Sequence, residues 1–128
     1  MKEKKWVFSG TSLESAYGYS RAIRQGDRIV VSGCAPIEAD GSSRPDAAGQ
    51  AARCFEIIRQ AITDLGGRTD DIIRTRLYLT SRDDLDAVMR VHKEWVGEAK
   101  PTCSAIIAEL ARPEWKVEIE AEAVCIPE

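Results

Sequence analysis

Between residues 51 and 65 apolar side chains recur at steps of three and four: Ala51, Phe55, Ile58, Ile62 and Leu65. This spacing gathers them on one stripe of a helix and leaves Arg53, Glu56, Arg59, Gln60 and Asp64 on the other side. Asp46 stands where an N-cap belongs, and Gly66-Gly67 supplies the stop. A second stripe, Leu85, Val88, Met89, His92, Trp95 and Val96, runs on to Gly97. It follows Ser81-Arg82-Asp83-Asp84, which resembles a capping box with Asp84 in the place of the usual Glu or Gln.

The rest of the chain alternates with a period of two or runs β-branched, as strands do. Trp6 to Ser9 is a short strand ended by Gly10-Thr11-Ser12. Tyr17 to Arg24 alternates loosely, with Tyr17, Tyr19, Arg21 and Ile23 on one face. Gln25-Gly26-Asp27 then reads as a hairpin turn into Arg28 to Gly33. Glu38 to Pro45 is a polar loop. Ile72 to Thr80 places Ile73, Thr75, Leu77 and Leu79 on one face and Arg74, Arg76 and Tyr78 on the other. Two last strands, Thr102 to Glu109 and Lys116 to Cys125, flank the loop Leu110 to Glu114. The predicted order is β-β-β-α-β-α-β-β, an α+β fold in which a mixed six-stranded sheet carries two helices on one face. The other face is expected to be buried by oligomerisation.

Composition adds bounds. A chain of 128 residues is expected to form a single domain over 1–128, and 44% hydrophobic with 30% charged residues reads as an ordinary soluble protein. A net charge of −3 and a pI near 5.3 give no electrostatic footprint for nucleic acid. No apolar run of signal-peptide or membrane-span length is present, so a cytoplasmic protein with no membrane association is expected. Cys34, Cys54, Cys103 and Cys125 fall in no metal-binding or redox spacing and are expected as reduced thiols, with no metal site and no cofactor.

Several strings, in this order, resemble the RidA-like family, once called YjgF or endoribonuclease L-PSP. They are Gly18-Tyr19-Ser20-Arg21-Ala22-Ile23, Val31-Ser32-Gly33, Gln50 with its helix, Asp71 to Leu79, and Pro101 with Val117-Glu118-Ile119-Glu120-Ala121. The resemblance spans residues 16–124. It implies a chorismate-mutase-like fold and a homotrimer with small-molecule clefts between subunits. It also implies hydrolysis of reactive 2-imino and enamino acids to ammonia and a keto acid. The family's cleft uses an arginine to clamp the substrate carboxylate, a glutamate to position water and a tyrosine. The tyrosine matches Tyr19 and the glutamate Glu118. The arginine does not carry over: its position is Cys103, and a thiol does not replace a permanent cation. Gly33 matches the family's Ser-Gly pair, and the glutamine after it is Cys34 here.

Each candidate has a plainer alternative. Glu118 either holds water or pairs with an arginine at an interface, in a row with Glu120 and Glu122 that expects neutralisation by Arg74 or Arg76. Cys103 and Cys34 read as cleft-lining residues; a Cys-His pair is not supported, because the single histidine, His92, lies on an apolar helix stripe. Arg21 and Arg76 are the cations available to replace the missing clamp, or else salt-bridge partners. Cys54, Cys125, Trp95 and Trp115 are expected to pack. The functional expectation is a hydrolase or deaminase of small imine, enamine or related carbonyl metabolites. The alternatives are a non-catalytic trimeric metabolite-binding protein and, least favoured, an endoribonuclease.

Overall fold

A computed structural model describes residues 3–125. Nine elements follow in order: β1 (Lys4–Val7), α1 (Ser12–Tyr17), β2 (Ala22–Gln25), β3 (Arg28–Cys34), α2 (Ala47–Asp64), β4 (Ile72–Leu79), α3 (Leu85–Val96), β5 (Thr102–Ile107) and β6 (Val117–Val124). The strands form one six-stranded sheet in the order β1-β2-β3-β6-β4-β5. Its neighbours are antiparallel except β4 and β5, which are parallel and joined through α3. Among the described residues no helix is long and apolar enough to cross a membrane.

Both long helices lie where the apolar stripes predict. Ala51, Phe55, Ile58 and Ile62 of α2 are at most 1% exposed, and Val88, His92 and Val96 of α3 are buried with them. They join one cluster with Ile29 and Val31 of β3, Leu77 and Leu79 of β4, and Val117, Ile119, Ala121 and Ala123 of β6. The Asp46 carboxylate caps α2 by accepting the Gly49 amide. Ser81 accepts the Asp83 amide and so caps a short 3-10 turn that leads into α3. Gly97 ends α3 with ordinary right-handed dihedrals, and Lys100, at φ 49°, makes the left-handed step instead.

Four expectations are corrected. The segment read as a strand from Tyr17 begins instead with α1, so Tyr17 belongs to a helix and Tyr19 precedes the strand, which starts at Ala22. The reversal occurs at Gly18, whose φ of 76° is open to glycine and costly to most other residues. On β4 it is Ile72, not Ile73, that enters the core: the register shifts between Ile72 and Arg74, leaving Ile73 48% exposed. β1 covers Lys4–Val7 rather than Trp6 to Ser9, and β5 ends at Ile107.

Gln50 fixes the entry to β6. Its side chain is 1% exposed; Nε2 donates to the carbonyls of Arg44 and Glu114, and Oε1 accepts the Lys116 amide at 2.7 Å. The amide's hydrogen-bonding groups are thus occupied by loop backbone on both sides of the fold.

Candidate functional site

β6 alternates, so Ile119, Ala121 and Ala123 point to the helices while Glu118, Glu120 and Glu122 point to the uncovered face. Glu120 and Glu122 are neutralised. Arg76 Nη1 donates to Glu120 at 3.0 Å, the Tyr78 hydroxyl donates to the same oxygen at 3.1 Å, and Arg28 Nη2 donates to Glu122 at 2.6 Å. Arg76 is therefore held by Glu120 within the chain.

Glu118 differs from its neighbours. It is half-buried beside Tyr78, and among the described residues its carboxylate receives no hydrogen bond. Burial and the nearby Glu120 charge push its pKa above the usual carboxylate value, with Arg21 opposing them. The backbone of Gly33 makes room for it. A Cβ at Gly33 would stand 2.6 Å from Glu118 Oε2, so the bulge between Val31 and Cys34 brings bare backbone against the carboxylate.

Arg21 sits just ahead of β2, with its amide donating to the Val7 carbonyl and its own carbonyl accepting the Ser32 amide. Its Nη1 lies 3.3 Å from Cys34 Sγ. Burial pushes the Cys34 thiol up to about 11 although Arg21 opposes it, so it stays protonated and unreactive at neutral pH. Cys34 is fully buried and is not a surface-lining residue within this chain. Cys54 lies behind it, donating to the Cys34 carbonyl at 3.1 Å. Arg21, Gly33, Cys34 and Glu118 thus form one neighbourhood.

Tyr19, Cys103 and Arg76 lie elsewhere. Tyr19 is 46% exposed in an open groove with Trp6, Phe8, Ile23 and Ser32. Cys103 is exposed on β5 and pairs with Thr75, whereas Glu118 pairs with Tyr78. That separates the two by two strands and three residues, about 14 Å at ordinary sheet spacing, on opposite faces. One chain does not bring Cys103 to Glu118. His92 is a packing residue: its Nε2 is 2.8 Å from Thr75 Oγ1, its ring meets Phe55 edge-on, and burial holds its pKa below the ordinary value. Trp95 stacks on Phe55 with Arg59 over its ring.

The sequence matches the family described as Endoribonuclease L-PSP over residues 9–125. The chain belongs to the RidA/YjgF family. Rv2704 of Mycobacterium tuberculosis, a member of the YjgF/YER057c/UK114 family, superimposes with a TM-score of 0.87 at 35% identity, over 95% of this chain and 99% of that one. A RutC family protein of Pyrococcus abyssi is 29% identical over 98% of both chains. More distant are the 3-aminoacrylate deaminase RutC of Acinetobacter baylyi, 25% identical over 82% of this chain and 85% of its own, and Escherichia coli TdcF with bound serine. The TdcF structure superimposes with a TM-score of 0.77 at 26% identity, over 83% of this chain and 87% of that one.

Set in this family, the residue that sequence reasoning missed is Glu14. It lies between Gly10-Thr11-Ser12, read as the end of one strand, and Tyr17, read as the start of the next, yet it is only 5% exposed. Its signal was a carboxylate four residues after Gly10, within reach of the Ser9 and Gly10 amides in the loop ahead of the helix.

Proposed function

We propose that this RidA-family protein hydrolyses small imines, enamines or related carbonyl compounds, working in the cytoplasm as a homotrimer with clefts between subunits. The observation that carries the reading is Glu118, a half-buried carboxylate of raised pKa with no bonded donor among the described residues, set against the bare backbone of Gly33. Such a group is suited to take a proton from water as the water oxygen attacks an imine carbon. Glu118 returns that proton to the adduct's nitrogen, and as the adduct's hydroxyl gives up its own proton to the nitrogen the C–N bond breaks, releasing ammonia and leaving a carbonyl compound. The relative named as a 3-aminoacrylate deaminase supports the reaction class, and TdcF with bound serine supports a ligand of amino-acid size.

Assembly is supported by β5. It is an edge strand with every residue exposed, including Ile106 at 38% and Ile107 at 44%, and such an edge invites pairing with another chain. A second copy is also what would join Cys103 to the Glu118 neighbourhood. Cys103 leaves the cleft without the family's arginine, so 2-imino acids would not be held by a clamp at that position.

The test is ammonia release from freshly generated 2-imino and enamino acids. Turnover should be seen with the natural protein, and Glu118→Gln should lower it on the order of 100-fold or more. A natural-protein rate equal to buffer would sink the reaction. Cys103→Arg should raise turnover of 2-imino acids specifically. The cysteine in place of the arginine at position 103 favours one further reading, a trimer that binds a metabolite without converting it. Calorimetry with small keto acids showing saturable binding and an unchanged ligand would select it. Ribonuclease activity is disfavoured, because His92 is buried against Thr75 and Phe55 and the chain is acidic.

A further inference from the structure

The first helix is a poor candidate for independent stability. α1 has six residues, and Thr11 at its N-cap makes no side-chain hydrogen bond. Isolated helices of this length do not persist in water, so something outside the helical ladder holds it. Glu14 supplies that hold. Its carboxylate accepts the Ser9 amide at 2.9 Å and the Gly10 amide at 3.1 Å, closing the loop that leaves β1. Its backbone carbonyl accepts the Gly18 amide at 2.8 Å and the Tyr19 amide at 3.0 Å, closing the turn that leaves α1. One residue therefore ties both ends of the segment. Burial alone would raise the Glu14 pKa, yet the donated bonds from Ser9 and Gly10, helped by the Arg21 charge, bring it below the ordinary value.

The contacts continue toward Glu118. The Ser32 hydroxyl donates to the Ser20 carbonyl at 2.7 Å, tying the residue after Tyr19 to the residue before Gly33. Gly33 in turn lies against Glu118 Oε2. Tyr19, Ser32 and Glu14 also line one groove with Trp6 and Phe8. We propose that Glu14 is a positioning residue for the site: it fixes where the Tyr19 ring stands relative to Ser32, Gly33 and Glu118. The proposal rests on the reading that Tyr19 and Glu118 serve a common ligand. Its structural half, that Glu14 orders Tyr19, stands apart from any chemistry.

The experiment compares Glu14→Ala, Glu14→Gln, Tyr19→Ala and the double variant Glu14→Ala/Tyr19→Ala. Backbone amide exchange followed by NMR should quicken at Gly18 and Tyr19 in Glu14→Ala by about tenfold or more, with amides of α2 and β6 unchanged. Glu14→Gln, which keeps an acceptor oxygen, should restore part of that protection. Unchanged exchange at Tyr19, or protection lost equally across the whole fold, would overturn the proposal. In the second arm kcat/KM for 2-iminopropionate should fall in Glu14→Ala, while the double variant is no worse than Tyr19→Ala. Fully additive losses would overturn it, because Glu14 would then not act through Tyr19. Glu118→Gln retaining full turnover would overturn the proposed chemistry instead, and the amide exchange would still decide the role of Glu14.

Discussion

The two faces of β6 are one strand under two regimes. Toward the helices, Ile119, Ala121 and Ala123 are buried in a single apolar cluster that α2 and α3 close over. Toward the open side, Glu118, Glu120 and Glu122 project from the same backbone, and two of them are held by arginines. The helix side is stabilised by contacts shared among many residues, so each position is constrained by its neighbours' volumes. The open side rests on pairwise charge contacts that solvent screens. That difference leaves room for function: Glu118, one position along from a residue the core cannot spare, has no partner among the described residues and has a raised pKa.

The largest effect expected is on the helix side. Ile119→Ala should cost about 2–5 kcal/mol in urea unfolding, since it leaves a cavity among side chains that cannot close over it. A loss below 1 kcal/mol would mean the two faces are less unequal than described. Gln50→Ala comes next, at about 1–3 kcal/mol, because the Lys116 amide and the Arg44 and Glu114 carbonyls lose their partner at the entry to β6. It should also impair turnover, by loosening the strand that carries Glu118.

Glu118→Gln tests the open face through pH. The folded pKa is raised, so the folded state holds its proton more tightly than the unfolded chain does. Stability therefore falls as pH climbs from the ordinary glutamate value of 4.5 through the raised folded value, and the penalty persists above it. Glu118→Gln removes that slope, so its thermal midpoint should match the natural protein in acid and exceed it at neutral pH. A midpoint lower at neutral pH would show that Glu118 has a stabilising partner. The smallest effect is expected for Arg28→Ala, whose pair with Glu122 is largely exposed: about 0–1 kcal/mol, vanishing at high salt.

Legibility in the sequence followed the range of the interactions involved. The two long helices, the Asp46 cap and most strands were readable because apolar periodicity and capping act within a few residues, whereas Ser81 caps the 3-10 turn ahead of α3 and not α3 itself. α1 was not. Its residues carry no apolar stripe, and what holds them is a carboxylate reaching back to Ser9 and Gly10. The Ile72/Ile73 exchange escaped for a related reason: a bulge inverts the alternation without changing the residues. The Arg21–Cys34 contact joins positions 13 residues apart, and nothing in their local pattern announces it.

By itself the sequence determined the α+β class, the family and most of the helix-facing core, because these depend on residue type and spacing. Only the tertiary structure decided which carboxylate goes unpaired among the described residues and which arginine lies near it. Arg76 belongs to Glu120 and Arg28 to Glu122, while Arg21 rests against a protonated thiol in the Glu118 neighbourhood. Partnerships of this kind depend on sheet register and the Val31/Cys34 bulge, which bring together residues from distant parts of the chain; no local pattern encodes them.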